Sequence, residues 1–172
     1  MKNLALIVGL ALALGGCSSP ETKEKPKAHP VDETSVPKAV LDAKVKAYPS
    51  AKTVSWTQQG DEYEIKFEMD GRKMAAEYKA DGSVLETAEV ITLDAAPDAV
   101  KKGIASSKYG AMQLLALKKA QKAGKDEAYK AMFKNTDGGG FKVTFDKAGA
   151  IAKEKPVSKD KLEKWQNEHK GA

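Results

Sequence analysis

The chain has 172 residues, with 29 basic and 24 acidic side chains and a net charge of +5. Its single cysteine excludes an internal disulfide framework. Because its two histidines lie near opposite ends of the chain, the sequence predicts neither a histidine-based catalytic triad nor a zinc site. The length suits one folded domain.

The N-terminus has the pattern of an export signal. Lys2 precedes an apolar stretch, Leu4 to Leu14, which is too short to cross a hydrocarbon core that needs about 20 residues. Leu14-Gly15-Gly16-Cys17 resembles the bacterial lipobox, which implies cleavage before Cys17 and acylation (palmitate) of its thiol. An ordinary secretory signal is the alternative. Ser18, where an aspartate would retain the protein at the inner membrane, resembles the pattern of lipoproteins sorted to the outer membrane, facing the periplasm.

A segment of low hydrophobicity follows the predicted signal peptide, residues 1–16. Residues 17–35 contain three prolines, many charges and almost no large apolar side chains. Such a composition cannot bury enough surface to offset the entropy lost on ordering. The sequence therefore predicts a disordered tether over 17–35, a folded domain over 36–157 and a short C-terminal helix or tail over 158–172.

The folded part contains a tandem repeat. Pro37-Lys38-Ala39-Val40 recurs as Pro97-Asp98-Ala99-Val100, and each motif opens an amphipathic helix because proline is tolerated in a first helical turn. The repeats span 36–93 and 96–157.

Strands follow each helix. Residues 62–69 alternate apolar and charged side chains, as in a half-buried antiparallel strand, and Asp70-Gly71 and Asp81-Gly82 are hairpin signals. Residues 141–145 alternate in the same way. Residues 112–123 fit a helix or a strand, and the repeat favours a strand. The predicted fold is α+β, with tandem helix-plus-four-strand repeats that form one antiparallel sheet with helices on one face.

These motifs resemble a known family. Pro37-Lys38-Ala39-Val40, Tyr48-Pro49, Trp56 in the first strand and the Asp81-Gly82 turn are similar to PepSY-like, β-lactamase-inhibitor-protein-like (BLIP-like) domains of bacterial envelope proteins. The second repeat departs from the pattern, with Gly110 in place of the proline and no tryptophan after it. The resemblance implies a sheet with helices packed on one face. The exposed face of the sheet would then bind a protein.

The candidate partner-binding residues follow from that implication and from strand alternation. They are Trp56, Glu62, Glu64, Lys66 and Glu77. For Trp56, core packing is an equally open interpretation, since Val54 shares its parity. The glutamates also allow binding of a metal ion or small ligand on an acidic sheet face, although interleaved lysines are typical of an ordinary solvated face.

Charge is unevenly distributed between the halves. Residues 17–97 carry 11 basic and 15 acidic side chains, a net of −4, whereas residues 98–172 carry 17 and 9, a net of +8. The densest basic run is Lys118, Lys119, Lys122 and Lys125. Nearly all the basic side chains are lysines, whereas nucleic-acid-binding surfaces usually contain arginine and aromatic side chains. Nucleic acid is therefore not an expected partner.

The sequence thus predicts a membrane-anchored periplasmic lipoprotein that binds a protein or peptide through a sheet face, and that can be inhibitory. The alternative is a structural envelope lipoprotein whose lysine-rich half contacts anionic membrane or cell-wall polymer. No catalytic residues, cofactor or resident metal are predicted.

Overall fold

The computed structural model describes residues 26–168 of the chain. Within these residues, nine strands form one antiparallel sheet in which spatial order follows chain order. The strands of the described part are β1 (His29–Val31), β2 (Lys52–Gln59), β3 (Glu62–Met69), β4 (Arg72–Lys79), β5 (Val84–Ile91), β6 (Gln113–Lys122), β7 (Glu127–Lys134), β8 (Gly140–Asp146) and β9 (Ile151–Val157). The helices are α1 (Lys38–Ala47), α2 (Asp98–Ser106) and α3 (Lys159–Glu168). None of these helices is long and apolar enough to span a membrane.

The predicted α+β repeat fold is confirmed. α1 is followed by β2–β5 and α2 by β6–β9, and β5 pairs with β6 to join the repeats into one sheet. The ambiguous segment 112–123 forms a strand, β6.

The predicted tether is shorter than its composition indicated. Residues 29–31 form β1 and pair with β2, and a turn of 3-10 helix covers Glu33–Ser35. This short stretch is ordered because β2 offers it an open edge and Glu33 accepts a hydrogen bond from the Trp56 indole. The prediction of disorder was therefore wrong for residues 29–35. The predicted signal peptide, Cys17 and residues up to 25 lie outside the described residues, as do residues 169–172, which include His169.

α1 and α2 cover one face of the sheet with two separate hydrophobic cores. The first core combines Val36 and Val40 with the inward side chains of β2–β4, among them Trp56, Ile65 and Phe67. The second combines Val100, Ile104 and Tyr109 with β6–β8, among them Leu117, Phe133 and Phe145. In both repeats a tyrosine after the helix packs on a β-strand phenylalanine: Tyr48 on Phe67, with ring centroids 4.6 Å apart, and Tyr109 on Phe133, at 5.2 Å.

α3 lies on the opposite face from α1 and α2. Leu162 of α3 is fully buried, and its Cδ2 lies 3.1 Å from where a Cβ on Gly140 would stand. Gly140 has the same parity in β8 as Lys142, which points away from the helix-covered core. The glycine therefore makes room for α3 at the edge of the uncovered sheet face, called the open face below.

Candidate binding face on the open side of the sheet

A row of alanines crosses the middle of the open face. Ala75, Ala88, Ala120 and Ala128 are register partners on the adjacent strands β4–β7. Because alanine ends at Cβ while neighbouring side chains are long, this alanine row forms the floor of a groove of about 620 Å³. The groove spans both repeats.

Carboxylates lie on one side of the alanine row. Glu64, Glu77 and Glu86 are register partners on β3, β4 and β5, two residues along the strands from the alanines. They are called the acidic row. Glu86 forms ion pairs with Lys122, at 3.5 Å, and with Lys130. Such pairs offset the repulsion expected between like charges directly opposite each other.

Lysines lie on the other side, in the second repeat. One row of successive register partners across β6–β9 contains Lys118, Lys130, Thr144 and Lys153. Lys142 and Lys155 are register partners in the next row of this face, two residues further along the strands. These five lysines, which all line the groove, are called the lysine cluster. Burial lowers the pKa of Lys118, and the positive charges of Lys66, Lys130 and Lys142 lower it further, while Glu64 acts in the opposite direction.

An apolar region continues the groove towards the ends of β2 and β6. Val54, Val90 and Leu115 line a neighbouring hollow of about 710 Å³, and Trp165 of α3 lines both hollows. Val54 and Leu115 stand at register irregularities in β2 and β6, the first strands of the two repeats. The fold has thus placed a matching bulge in each repeat at this surface.

Four of the five residues predicted for the open face lie there. Glu64, Lys66 and Glu77 line the grooves, and Glu62 shares their parity in β3. Of the two interpretations of Trp56, the structure supports core packing and not a place on this face. Its side chain is 3% exposed, packs in the first core and donates a hydrogen bond to Glu33, 3.1 Å away.

The bulge in β2 explains this outcome. It separates the parity of Val54 from that of Trp56, so Val54 is 62% exposed instead of buried. The tryptophan takes the core position.

The predicted basic patch does not form one surface. Lys118, Lys122 and Lys125 line the groove, but Lys119 points to the other side of the sheet and pairs with Glu127 at 2.7 Å. Adjacent strand residues point to opposite faces, so a run in the sequence is divided. Sequence reasoning missed Lys130, Lys142, Lys153, Lys155 and Trp165. Alternation with a period of two in β7–β9 could have placed these lysines on one face of the sheet. That they lie close together depends on the register between strands, which the sequence does not show.

Within residues 26–168, no group of three or more His, Cys, Asp or Glu side chains is arranged to hold a metal ion. Within the acidic row, Glu86 is instead paired with Lys122 and Lys130. The geometry therefore offers charged and apolar contacts along a groove.

This architecture defines the class: a tandem-repeat α+β protein with an open, charged sheet face. The family described as "Putative beta-lactamase-inhibitor-like, PepSY-like" matches residues 21–85 and again residues 69–153. The chain belongs to this family, which confirms the resemblance seen in the first repeat and extends it to the second.

Solved structures share the fold. A protein of Bacteroides eggerthii, described as "putative periplasmic", superposes with a TM-score of 0.67 at 20% identity, over 70% of this chain and 88% of its own. A DUF2874 family protein of Bacteroides uniformis gives 0.66 at 20% identity, over 70% and 88%. A BLIP-like protein of Bacteroides fragilis gives 0.62 at 23% identity, over 70% and 85%. No curated protein matches the chain.

Proposed function

We propose that this protein is a lipid-anchored lipoprotein of the periplasm that binds a protein or peptide segment in the groove above the alanine row, without catalysing a reaction. The observation that carries the proposal is the row Ala75–Ala88–Ala120–Ala128, which lies between the acidic row and the lysine cluster. A floor of small side chains allows close approach of another backbone, and charged rims supply orientation.

The comparisons support this proposal through the family and the descriptions of its neighbours. The family description names β-lactamase-inhibitor likeness, and one similar structure is described as periplasmic. Inhibition of a partner enzyme is one form that groove binding can take, and we include it in the proposal. Trp165 adds an aromatic contact of the type that often anchors protein interfaces.

The groove is tested by filling it. Ala88→Tyr adds a large ring to the alanine row, and Ala47→Tyr adds the same atoms to an exposed position at the end of α1. The full chain is extracted in a neutral detergent, and partners are captured from envelope extract and then titrated with the purified protein. We expect one stoichiometric partner. Ala88→Tyr should weaken its binding at least tenfold, and Ala47→Tyr should leave its binding unchanged. Equal binding by both variants contradicts the groove as the site.

The anchor is tested separately. We expect Cys17→Ser to abolish incorporation of a fatty-acid analogue and to release the protein from the membrane fraction, because the thiol is the acylated group. Ser19→Ala, two residues away, should keep both properties. Equal labelling of Cys17→Ser and the parent contradicts lipidation at Cys17.

The alternative of a lysine-rich half resting on a membrane receives less support from the fold. Its densest basic run is divided between the two sides of the sheet, and Lys119 and Lys122 are already paired with Glu127 and Glu86.

A further inference from the structure

The lysine cluster is an unusual concentration of one charge on a sheet. Its five side chains come from four adjacent strands, β6–β9, and all stand on the open face. Lys118 is directly opposite Lys130, and Lys142 is directly opposite Lys155. Like charges in directly opposite positions are destabilising.

Few internal carboxylates offset this repulsion. Lys130 pairs with Glu86. Within residues 26–168, no ion pair joins Lys118, Lys142, Lys153 or Lys155 to a carboxylate, whereas Lys108, Lys119 and Lys122 each have one. The fold thus places carboxylates against other lysines and leaves the cluster positively charged.

Protection of the sheet edge explains only part of the cluster. β9 is the last strand of the sheet, and Lys153, Lys155 and Pro156 are the kind of residues that discourage edge-to-edge association. Lys118 and Lys130, however, lie on the interior strands β6 and β7 and are only partly exposed. Desolvation lowers the pKa of Lys118, a cost that a solubilising charge does not need to bear.

The surroundings of the cluster indicate the shape of what it binds. Side chains from every strand between β3 and β9 line one groove, from Glu64 on β3 to Lys155 on β9. The open face is therefore curved inwards, and Trp165 of α3 stands beside it. A flat bilayer surface cannot reach the partly buried Lys118 and Lys130 inside such a groove, whereas a loop or extended segment of a protein can.

Resting on the proposed groove function, we propose that the lysine cluster binds a carboxylate-bearing segment of the partner protein in the second-repeat half of the groove. The two lysine rows lie two residues apart along the strands, about 7 Å. Glutamates at alternate positions of an extended segment have the same spacing, so both rows can be neutralised together. Hydrogen bonds between charged groups in such partly buried settings are stronger than those between neutral groups.

The test compares two synthetic peptides, Thr-Glu-Val-Glu-Val-Glu-Thr and its counterpart with glutamine for each glutamate. Fluorescence anisotropy is measured with the full chain in a neutral detergent at fixed salt. We expect the glutamate peptide to bind at least tenfold more tightly than the glutamine peptide. Lys118→Gln with Lys142→Gln should remove that preference. Lys44→Gln with Lys46→Gln, which removes the same charge from α1, should keep it.

A charge-reversed variant makes the test independent of simple loss of folding. Lys118→Glu with Lys142→Glu should reverse the preference, so that a peptide with lysine at the three alternate positions binds more tightly than the glutamate peptide. Equal binding of the glutamate and glutamine peptides overturns the proposal. So does an equal loss in the α1 control, which would indicate attraction to net charge alone.

Two further results separate this inference from the proposed function. If Ala88→Tyr abolishes capture of the natural partner but the double glutamine variant does not, the groove binds a partner and the carboxylate proposal is wrong. If the Cys17→Ser chain, which lacks the proposed lipid, sediments with anionic but not neutral vesicles, and adding Lys118→Gln with Lys142→Gln abolishes this while adding Lys44→Gln with Lys46→Gln does not, the cluster is a lipid-binding surface and the proposal is overturned.

Discussion

Tyr78 combines complete burial with an unsatisfied hydroxyl. Its side chain is 0% exposed, and its Oη has no hydrogen-bond partner among the described residues. Tyr129 is 2% exposed, but its hydroxyl donates to Glu127. A buried polar group without a partner costs about 1–3 kcal/mol, so the two tyrosines should respond oppositely to removal of the hydroxyl.

We expect Tyr78→Phe to stabilise the protein by about 1 kcal/mol and Tyr129→Phe to destabilise it by about 1 kcal/mol. Chemical denaturation at pH 7 measures both. Destabilisation by Tyr78→Phe would show that its hydroxyl has a partner in solution.

The raised pKa values of the same two tyrosines lead us to expect a loss of stability at alkaline pH. Burial raises the pKa of Tyr78, and also that of Tyr129, to about 12 in each case. Between pH 10 and 12 the unfolded chain loses these protons while the folded chain keeps them, so the free energy of unfolding falls as pH rises. Each tyrosine contributes a slope of at most about 1.4 kcal/mol per pH unit. Tyr78→Phe should therefore flatten the profile above pH 10, and an unchanged slope would contradict the raised pKa.

Lys118 illustrates a conflict between stability and binding. Its ammonium is partly desolvated beside other lysines, so a neutral side chain of similar length suits the folded state better. We expect Lys118→Met to raise the free energy of unfolding by about 1 kcal/mol. The same change should weaken binding of the glutamate peptide. Thermal unfolding and anisotropy measure the two effects on the same preparation. A variant that is less stable, or one that binds equally well, would argue against a functional reason for the lysine.

At the scale of elements, each repeat is closed by a glycine turn that touches the start of its helix. A Cβ on Gly82 would lie 2.6 Å from the Ala39 carbonyl oxygen, and a Cβ on Gly149 would lie 2.1 Å from that of Ala99. Both glycines have positive φ, +84° and +83°. Two equivalent contacts thus fix each helix against the β4–β5 or β8–β9 turn.

We expect Gly149→Ala to cost about 3 kcal/mol or more, because the added methyl group collides with backbone and the φ is unfavourable for alanine. Gly124→Ala is the matched control, since Gly124 has a φ of +66° and nothing within 4 Å of its Cβ position. It should cost only about 1 kcal/mol. Equal losses in denaturation experiments would mean that the contact with α2 contributes nothing.

The elements show what the sequence could and could not predict. Alternation in 62–69 and 141–145, together with the proline repeat, predicted the strands, the helices and the repeat order, because those signals are local. The inward position of Trp56 depends on a bulge at Val54, and the lysine cluster depends on register across four strands. These features are set by pairing between distant residues, which periodicity within one segment does not encode.

At the scale of the whole molecule, the unequal charge of the halves becomes a polarised groove. The acidic row lies on β3–β5 of the first repeat, and the lysine cluster lies on β6–β9 of the second. A single sheet therefore presents both potentials side by side along the same floor. Such an arrangement fixes the direction in which a partner segment can lie.

The two repeats also keep separate cores within that sheet. No buried residue is common to the two clusters, and the β5–β6 ladder, from Glu86–Lys122 to Ile91–Leu117, joins the halves. Local opening of one half is therefore expected to leave the other protected. Phe67 and Phe133 are matched probes, because each is 1% exposed and packs against the tyrosine that follows its helix.

We expect Phe67→Leu to increase amide hydrogen exchange mainly in α1 and β2–β4, and Phe133→Leu to increase it mainly in α2 and β6–β8. Each change removes packing from one core, at a cost of about 1–2 kcal/mol, while the other core is untouched. Exchange followed by mass spectrometry under native conditions resolves the two sets of peptides. If either variant accelerates exchange equally in both halves, the β5–β6 ladder couples the repeats into one cooperative unit, and binding at the lysine cluster should then also protect the first repeat.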